Sequence, residues 1–266
     1  LAAEPQLKVL NMSEPHTEAS SLAEITLADC SACIHRALLQ NGKCEPGDVC
    51  VKAQSGRQID RFLRSNSQFA QDYLGDDFWE RRAIAVRYAP LQFVRALPRD
   101  TDEVVRRVMA SRLPIAELND YLRDTDREVR MTVAARIAPE NLNAMLGDED
   151  YLVRLQVAKR LPHGQLRRMV HDADREVRKE VARRLPPFAL GLLAHDGDAE
   201  VRRIIAARAL PDDAAKMLAD PDWVVRLEAV QHAPLAAIAG LVDDAEPEVR
   251  AVVRQRLDEF LLGDEK

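Results

Sequence analysis

Between residues 124 and 139 the chain reads DTDREVRMTVAARIAP. The apolar positions are Val129, Val133, Ala134 and Ile137, spaced i, i+4, i+5, i+8. That spacing is one stripe of an α-helix. The same stripe returns as Val153, Val157, Ala158, Leu161 and as Val177, Val181, Ala182, Leu185. Its small member (Ala110, Ala134, Ala158, Ala182, Ala206) lets neighbouring backbones approach closely. A proline then ends each helix, at Pro90, Pro114, Pro139, Pro162, Pro186, Pro211 and Pro234. Acidic first turns, as at Asp126 and Glu128, suit the positive end of the helix dipole. After each proline comes a shorter i, i+3, i+4 motif, such as Leu118, Tyr121, Leu122 or Leu142, Met145, Leu146. It fills only one or two turns.

The arginine of each unit acts as a ruler: Arg81, Arg106, Arg130, Arg154, Arg178, Arg202, Arg226 and Arg250. The first step is 25 and each of the next six is 24. A fixed period of this length marks a solenoid, whose units cover one another's apolar faces. Two full helices do not fit in so short a period once the connections are counted. Each unit should therefore hold one true α-helix and one very short, 3₁₀-like piece. HEAT repeats share the Asp-x-x-x-x-Val-Arg signature but need roughly 40 residues. An ordinary leucine-rich repeat needs a strand and an asparagine column, and both are missing. Arg57 stands one period before Arg81, in a stretch that keeps only part of the pattern. It reads as a degenerate first unit of an elongated array of about eight repeats.

Composition agrees with an all-α chain: 10 glycines in 266 residues, 5% aromatics, 47% hydrophobic and 31% charged residues. A net charge of −6 argues against a general nucleic-acid binder. No apolar run is long enough to cross a membrane. The opening LAAEPQLKVLNMSEP has no basic leader or cleavage site, so a signal peptide is not expected. Met12 looks like a natural start, which would make residues 1–11 upstream or expression-derived sequence. Residues 1–26 read as a mobile arm, 27–56 as a cysteine segment and 57–266 as the repeats.

All four cysteines lie in that short segment, as Cys30, Cys33, Cys44 and Cys50, and none follow in the rest of the chain. LADCSACIHRALLQNG has Leu27, Ile34, Leu38 and Leu39 near helical spacing and ends on Asn41-Gly42. It predicts a helix carrying Cys30 and Cys33 on one side. CEPGDVC predicts a turn at Pro46-Gly47 that folds Cys44 and Cys50 back toward the first pair. Three states compete for C-x2-C-x10-C-x5-C. Two disulfides are disfavoured in a reducing, cytoplasmic setting. Structural zinc prefers two short knuckles, and the x5 gap is loose for that. An iron–sulfur cluster needs one thiolate per iron, and four thiols allow one cluster. His35 could replace a cysteine but reads as an exposed helix residue. Arg36, Lys43 and Lys52 could offset cluster charge, although solvated side chains are the simpler reading.

Two further columns accompany the ruler. Six positions after it stand Arg87, Arg112, Arg136, Arg160, Arg184, Arg208 and Arg256. Aspartates stand six positions before it, from Asp100 to Asp244, and four before it, from Asp77 to Asp222. An internal ladder of helix caps and Arg–Asp forks explains the preference for arginine over lysine. The competing reading is a concave arginine column that binds DNA phosphates, against which stand the acidic balance and the few aromatics. His163, His171, His195 and His232 lie in different units without metal spacing. No nucleophile elbow, zinc-protease motif or phosphate-binding glycine loop is present, so no enzyme is expected. Trp79 and Trp223 fall in the turn before a ruler arginine, and Trp223 is a candidate contact point.

The period, the DxDxxVR…P units and the four cysteines resemble the leucine-rich repeat variant proteins, over Cys30 to about Arg256. The resemblance implies alternating α- and 3₁₀-helices in a right-handed superhelix. It also implies that Cys30, Cys33, Cys44 and Cys50 ligate a 4Fe-4S cluster, with zinc as the alternative. It brings no activity with it. The expected function is a scaffold for an unidentified protein partner, its cluster structural or redox-sensing. Single-electron transfer and DNA binding are the alternatives.

Overall fold

The structure, a computed structural model, describes residues 28–263, with side chains to residue 261. The expectations for residues 1–26 lie outside that range. Two compact units divide between Ser65 and Asn66, later than the boundary read after residue 56. The division keeps α1 (Gly56–Ser65) with the cysteine segment. Its apolar positions Ile59, Phe62 and Leu63, spaced i, i+3, i+4, are all fully buried.

The second unit carries the period. It contains α2 (Trp79–Tyr88), α3 (Leu91–Arg95), α4 (Glu103–Arg112), α5 (Arg127–Arg136), α6 (Tyr151–Arg160) and α7 (Arg175–Arg184). It continues with α8 (Ala199–Ala206), α9 (Pro211–Met217), α10 (Trp223–His232), α11 (Leu235–Ile238) and α12 (Pro247–Gly263). The long helices begin at Trp79, Glu103, Arg127, Tyr151, Arg175, Ala199, Trp223 and Pro247, a step of 24 throughout. Between them run 3₁₀ segments such as Ile115–Tyr121, Pro139–Met145, His163–Met169 and Pro187–Leu193. Among the described residues there is no β-strand, only an isolated bridge between Glu45 and Val49.

Packing follows the sequence pattern. Val129, Val133, Ala134 and Ile137 are fully buried, as are Val153, Val157, Ala158 and Leu161. Residues three apart eclipse in a 3₁₀ helix. Leu118 and Tyr121, Leu142 and Met145, and Leu166 and Met169 accordingly form buried pairs. The main helix contacts run α2–α4, α4–α5, α5–α6, α6–α7, α7–α8, α8–α10 and α10–α12, each unit to its neighbour. Where the short piece carries Pro211 at its first position, Asp212 and Asp213 in its first turn and Lys216 in its last, it becomes an α-helix.

The arginine ladder is present, with its first rung moved. Arg82, not Arg81, occupies the column, so the step is 24 from the start. Arg82 donates to Asp100 through Nε at 2.8 Å and Nη2 at 2.9 Å. Its Nη1 donates to the carbonyls of Asp76 and Asp77. The same fork joins Arg106 to Asp124, Arg130 to Asp148, Arg154 to Asp172, Arg178 to Asp196, Arg202 to Asp220 and Arg226 to Asp244, at 2.7 to 3.0 Å. Each aspartate also accepts the backbone N–H two positions on, as Asp124 does from Asp126 at 2.9 Å. The second aspartate column caps the helices: Asp102, Asp126, Asp150, Asp174, Asp198 and Asp222 each accept a first-turn N–H. Phe78 sits at that position in the first unit, so Asp77 is not a cap there.

The other arginine column works at the opposite end of the helices. Arg112, Arg136, Arg160, Arg184, Arg208 and Arg256 reach back to the last-turn carbonyls of Val86, Ala110, Ala134, Ala158, Ala182 and Val230. Tyr88 holds the corresponding place in the first unit, so Arg87 falls outside this column too.

Truncating a largely covered rung leaves its aspartate short of its fork. Arg154→Ala should cost about 3 kcal/mol. Arg250→Ala, at a rung that among the described residues bonds the carbonyls of Asp244 and Ala245 and no carboxylate, should cost about 1 kcal/mol. Urea titration measures both. Burial raises the pKa of Asp100, Asp124, Asp196 and Asp220, but the guanidinium and backbone hydrogen bonds outweigh it, so all four are lowered. Asp244 is lowered first by Arg226. A carboxylate whose pKa is depressed by folding stabilises the fold above its unfolded value, about 4. That stability is lost as pH falls through the depressed value. Thermal melts should therefore be steady near neutrality and drop steeply below about pH 4.

Candidate metal centre

The first cysteine pair does not lie on a helix. The Asp29 carboxylate accepts the Ser31 N–H at 2.8 Å, and its pKa is lowered first by the Ser31 side chain and then by this backbone bond. An aspartate bonded to the backbone two positions on offers the chain an alternative to helix. Cys33 then closes a turn to the Cys30 carbonyl, and Arg36 one to Cys33. Only Arg36–Asn41 forms a helix, and it is 3₁₀. The stop read at Asn41-Gly42 is where the sequence put it. Gly42 has φ 65° and gives its N–H to Leu38 and Leu39.

Two neighbours of the pair depart from the sequence reading. Ile34, expected on the apolar side of a helix, is 76% exposed. His35, expected in solvent, is 5% exposed and stacks against Phe62 with ring centroids 5.0 Å apart. Without a helix, the turn aims the histidine inward and the isoleucine outward.

The second pair flanks a turn whose chemistry was legible. The Asp48 N–H bonds the Glu45 carbonyl at 3.1 Å, with Pro46 at the first central position and Gly47 at the second, φ 88°. These are the requirements of a type II turn. Glu45 and Val49 pair across it, so Cys44 and Cys50 leave its two ends side by side. The Cys50 N–H reaches the Gln58 carbonyl at 3.3 Å, and Asp48 pairs with Arg61, so both sides of the turn are pinned to α1. Those anchors were not foreseen, since nothing in the spacing of single polar residues marks Asp48 or Gln58.

All four thiols are free, with Cys44 and Cys50 buried and Cys30 and Cys33 half-buried. Burial pushes the Cys44 thiol up to about 11, and Cys50, Cys33 and Cys30 add to the shift. The Cys30 thiol is also raised, by burial and then by Cys50 and Cys33, while Arg36 opposes the shift. The four sulfurs therefore share one electric field. Among the described residues no three Cys, His, Asp or Glu donors gather as a site for a single ion. The donor set nonetheless fits a thiolate-bound cluster: four sulfurs, none used in a disulfide, with the other three acting on the Cys44 thiol. Cationic iron would stabilise the thiolates that the bare protein disfavours. Arg36, Lys43 and Lys52 are exposed. His171 and His195 meet at one surface hollow beside Asp172 and Asp196, whose carboxylates are held by Arg154 and Arg178.

Comparison with known proteins agrees with this geometry. A family profile described as "LRV protein FeS4 cluster" matches residues 26–72. One described as "Leucine rich repeat variant" matches residues 151–174 and 175–198. A solved structure described as a leucine-rich repeat variant with a novel repetitive protein structural motif superimposes with a TM-score of 0.83 at 53% identity, covering 86% of this chain and 99% of that one. The chain belongs to the leucine-rich repeat variant family, with repeats of helix plus 3₁₀ helix joined to an FeS4 cluster segment. It also resembles a Rhodobacter capsulatus protein, an uncharacterized 27.7 kDa protein in the nifB 3' region, at 38% identity over 88 residues. That match spans 33% of this chain and 36% of the relative's length.

Gly47→Ala would force a side chain into a left-handed turn, at a cost of about 1–2 kcal/mol. The variant should stay folded but release iron to a chelator faster than the parent. Equal rates would mean that the turn does not hold the second cysteine pair in place.

Proposed function

We propose that the chain is a non-enzymatic scaffold for a protein partner and that Cys30, Cys33, Cys44 and Cys50 hold a single 4Fe-4S cluster. Three exposed aromatics carry the scaffold reading. Trp79, Tyr151 and Trp223 are 40%, 41% and 37% exposed. Each is the first residue of a long helix, and they recur every third unit. Half-exposed aromatics on a rigid array are the residues that dominate protein interfaces. The internal engagement of both arginine columns supports the same reading against DNA binding, because those guanidiniums already serve aspartates and carbonyls.

The cube is favoured over zinc by the cysteine spacing, whose x5 gap is loose for a zinc knuckle. A cube needs one thiolate per iron, and the four cysteines supply one set. Four free thiols suit a reducing compartment, so we place the protein in the cytoplasm. No described helix is long and apolar enough to cross a membrane. The half-exposed Cys30 and Cys33 support a cluster that exchanges electrons with its surroundings, and so a redox-sensing role.

Protein purified without oxygen should be brown, absorb near about 400 nm and carry about four irons per chain. One zinc and no iron would refute the assignment. Capture of a partner should fall about tenfold in Trp223→Ala. Binding of duplex DNA with a steep salt dependence, and no partner lost on that substitution, would favour the nucleic-acid reading instead.

A further inference from the structure

A repeat protein supplies its own control, because each unit shows what the array needs at a given position. At the position of Phe188 the other units carry Gln92, Ala116, Glu140, Gly164, Asp212 and Ala236. At the position of Leu192 they carry Ala96, Asp120, Ala144, Arg168, Lys216 and Gly240. Packing therefore asks for nothing large or apolar at either place. Yet Phe188 is 82% exposed and Leu192 53% exposed. Both border a groove of about 700 Å³ between the 3₁₀ segments His163–Met169 and Pro187–Leu193. Its facing wall carries one cation, Arg167, beside His163 and His171. The surrounding charge agrees: residues 159–190 hold nine Lys and Arg against four Asp and Glu, in a chain whose net charge is −6.

One surface of the same chain has the complementary chemistry. α12 runs 17 residues where most of its siblings run 10. Beyond Arg256 it presents Leu257, Phe260 and Leu261, an i, i+3, i+4 stripe, with Phe260 51% and Leu261 65% exposed. Asp258 and Glu259 flank the stripe, and the stretch LDEFLLGDE has four carboxylates and no base. An amphipathic helix with anchors at this spacing is the shape that an apolar groove accepts. The two surfaces cannot meet within one molecule. α12 is fixed against α10 and α11, and the groove lies three units away along the array.

We propose that a second copy of this chain lays the last turns of its α12 in the Phe188 groove, with Phe260 and Leu261 against Phe188 and Leu192 and with Asp258 and Glu259 toward Arg167. The contact is heterologous: each molecule offers one helix and one groove, so association runs head to tail. The contact area is small, so the association is weak and needs high protein concentration. This proposal is independent of the cluster and of any other partner.

Sedimentation of the cluster-loaded full chain, up to about 500 μM, tests it. The average mass should rise with concentration. Phe188→Gln, which installs the residue the first unit already tolerates, should lower the association constant about tenfold or more, and Phe260→Ser should do the same. Both side chains are exposed, and an unchanged thermal melt verifies each fold. Mixed together, the two variants should form a dimer and stop there, because one keeps its helix and the other its groove. Arg167→Glu should weaken association, and adding Asp258→Arg should recover much of it. A monomer at every concentration overturns the proposal. So does association that Phe188→Gln leaves intact, or variants that fail to complement in the mixture.

Discussion

A guanidinium has five N–H donors in one plane, and in this array the ladder arginines use donors on all three nitrogens. Arg154 spends two on the Asp172 carboxylate of the next unit and another on the carbonyls of Asp148 and Glu149 in its own loop. Lysine could not do this, because a point charge on a flexible stem cannot hold two carboxylate oxygens and a backbone turn in fixed directions at once. A buried ion pair is a poor source of net stability, since its desolvation offsets much of the attraction. Its effect here is on register. A fork that must find the aspartate of the next unit at one fixed separation tolerates no insertion between them. The step of 24 holds across seven intervals, even where the short segment changes from 3₁₀ to α, as at α9.

The helices explain why register must be imposed. At about ten residues each they are shorter than an isolated helix needs to persist in water. Five of them, α4, α5, α6, α7 and α10, are held at both ends by charge. An aspartate accepts the first N–H groups, and an arginine from the following unit donates to the last carbonyls. Both match the dipole, negative charge at the start and positive at the finish. The alanine column makes the second contact possible, because Arg136 and Arg160 reach carbonyls of Ala110 and Ala134 that no long side chain screens. One unit therefore leaves helix ends unsatisfied, and its neighbour completes them. This is the nearest-neighbour logic of a solenoid, written in hydrogen bonds as well as in apolar contact.

Legibility in the sequence divides along the same line. Whatever repeats could be read, because seven or eight copies average out the noise. The buried stripe, the proline stops, the capping aspartates from Asp102 to Asp222 and most of the 3₁₀ pieces lie where the spacing places them. Errors fall where there is only one copy. Arg81 and Arg82 are adjacent and chemically identical, and only the bond from Arg82 to Asp100 distinguishes them. In the cysteine segment, Leu38 and Leu39 suggested a helix extending back through Cys30, but one carboxylate at Asp29 commits the chain to a turn first. That turn inverts the two residues after Cys33, burying His35 and exposing Ile34. The turn at Pro46-Gly47 was readable because its residues have no equally good alternative conformation.

The two units also solve different problems. The repeats bring charged groups together in pairs of opposite sign, so the fold neutralises itself. The cysteine segment brings together four groups of one kind, and burial with mutual repulsion pushes the Cys44 thiol to about 11. Arg36 opposes the shift of Cys30 from an exposed position. On the assignment proposed above a cation completes this collection, so four cysteines confined to residues 30–50 carry more information about a cofactor than their loose spacing does. The same reasoning sorts the rest of the surface. A residue that serves the ladder has a counterpart in most units, whereas Phe188, Leu192 and the aromatic at the head of every third helix have none in the adjacent units, so the architecture alone does not account for them.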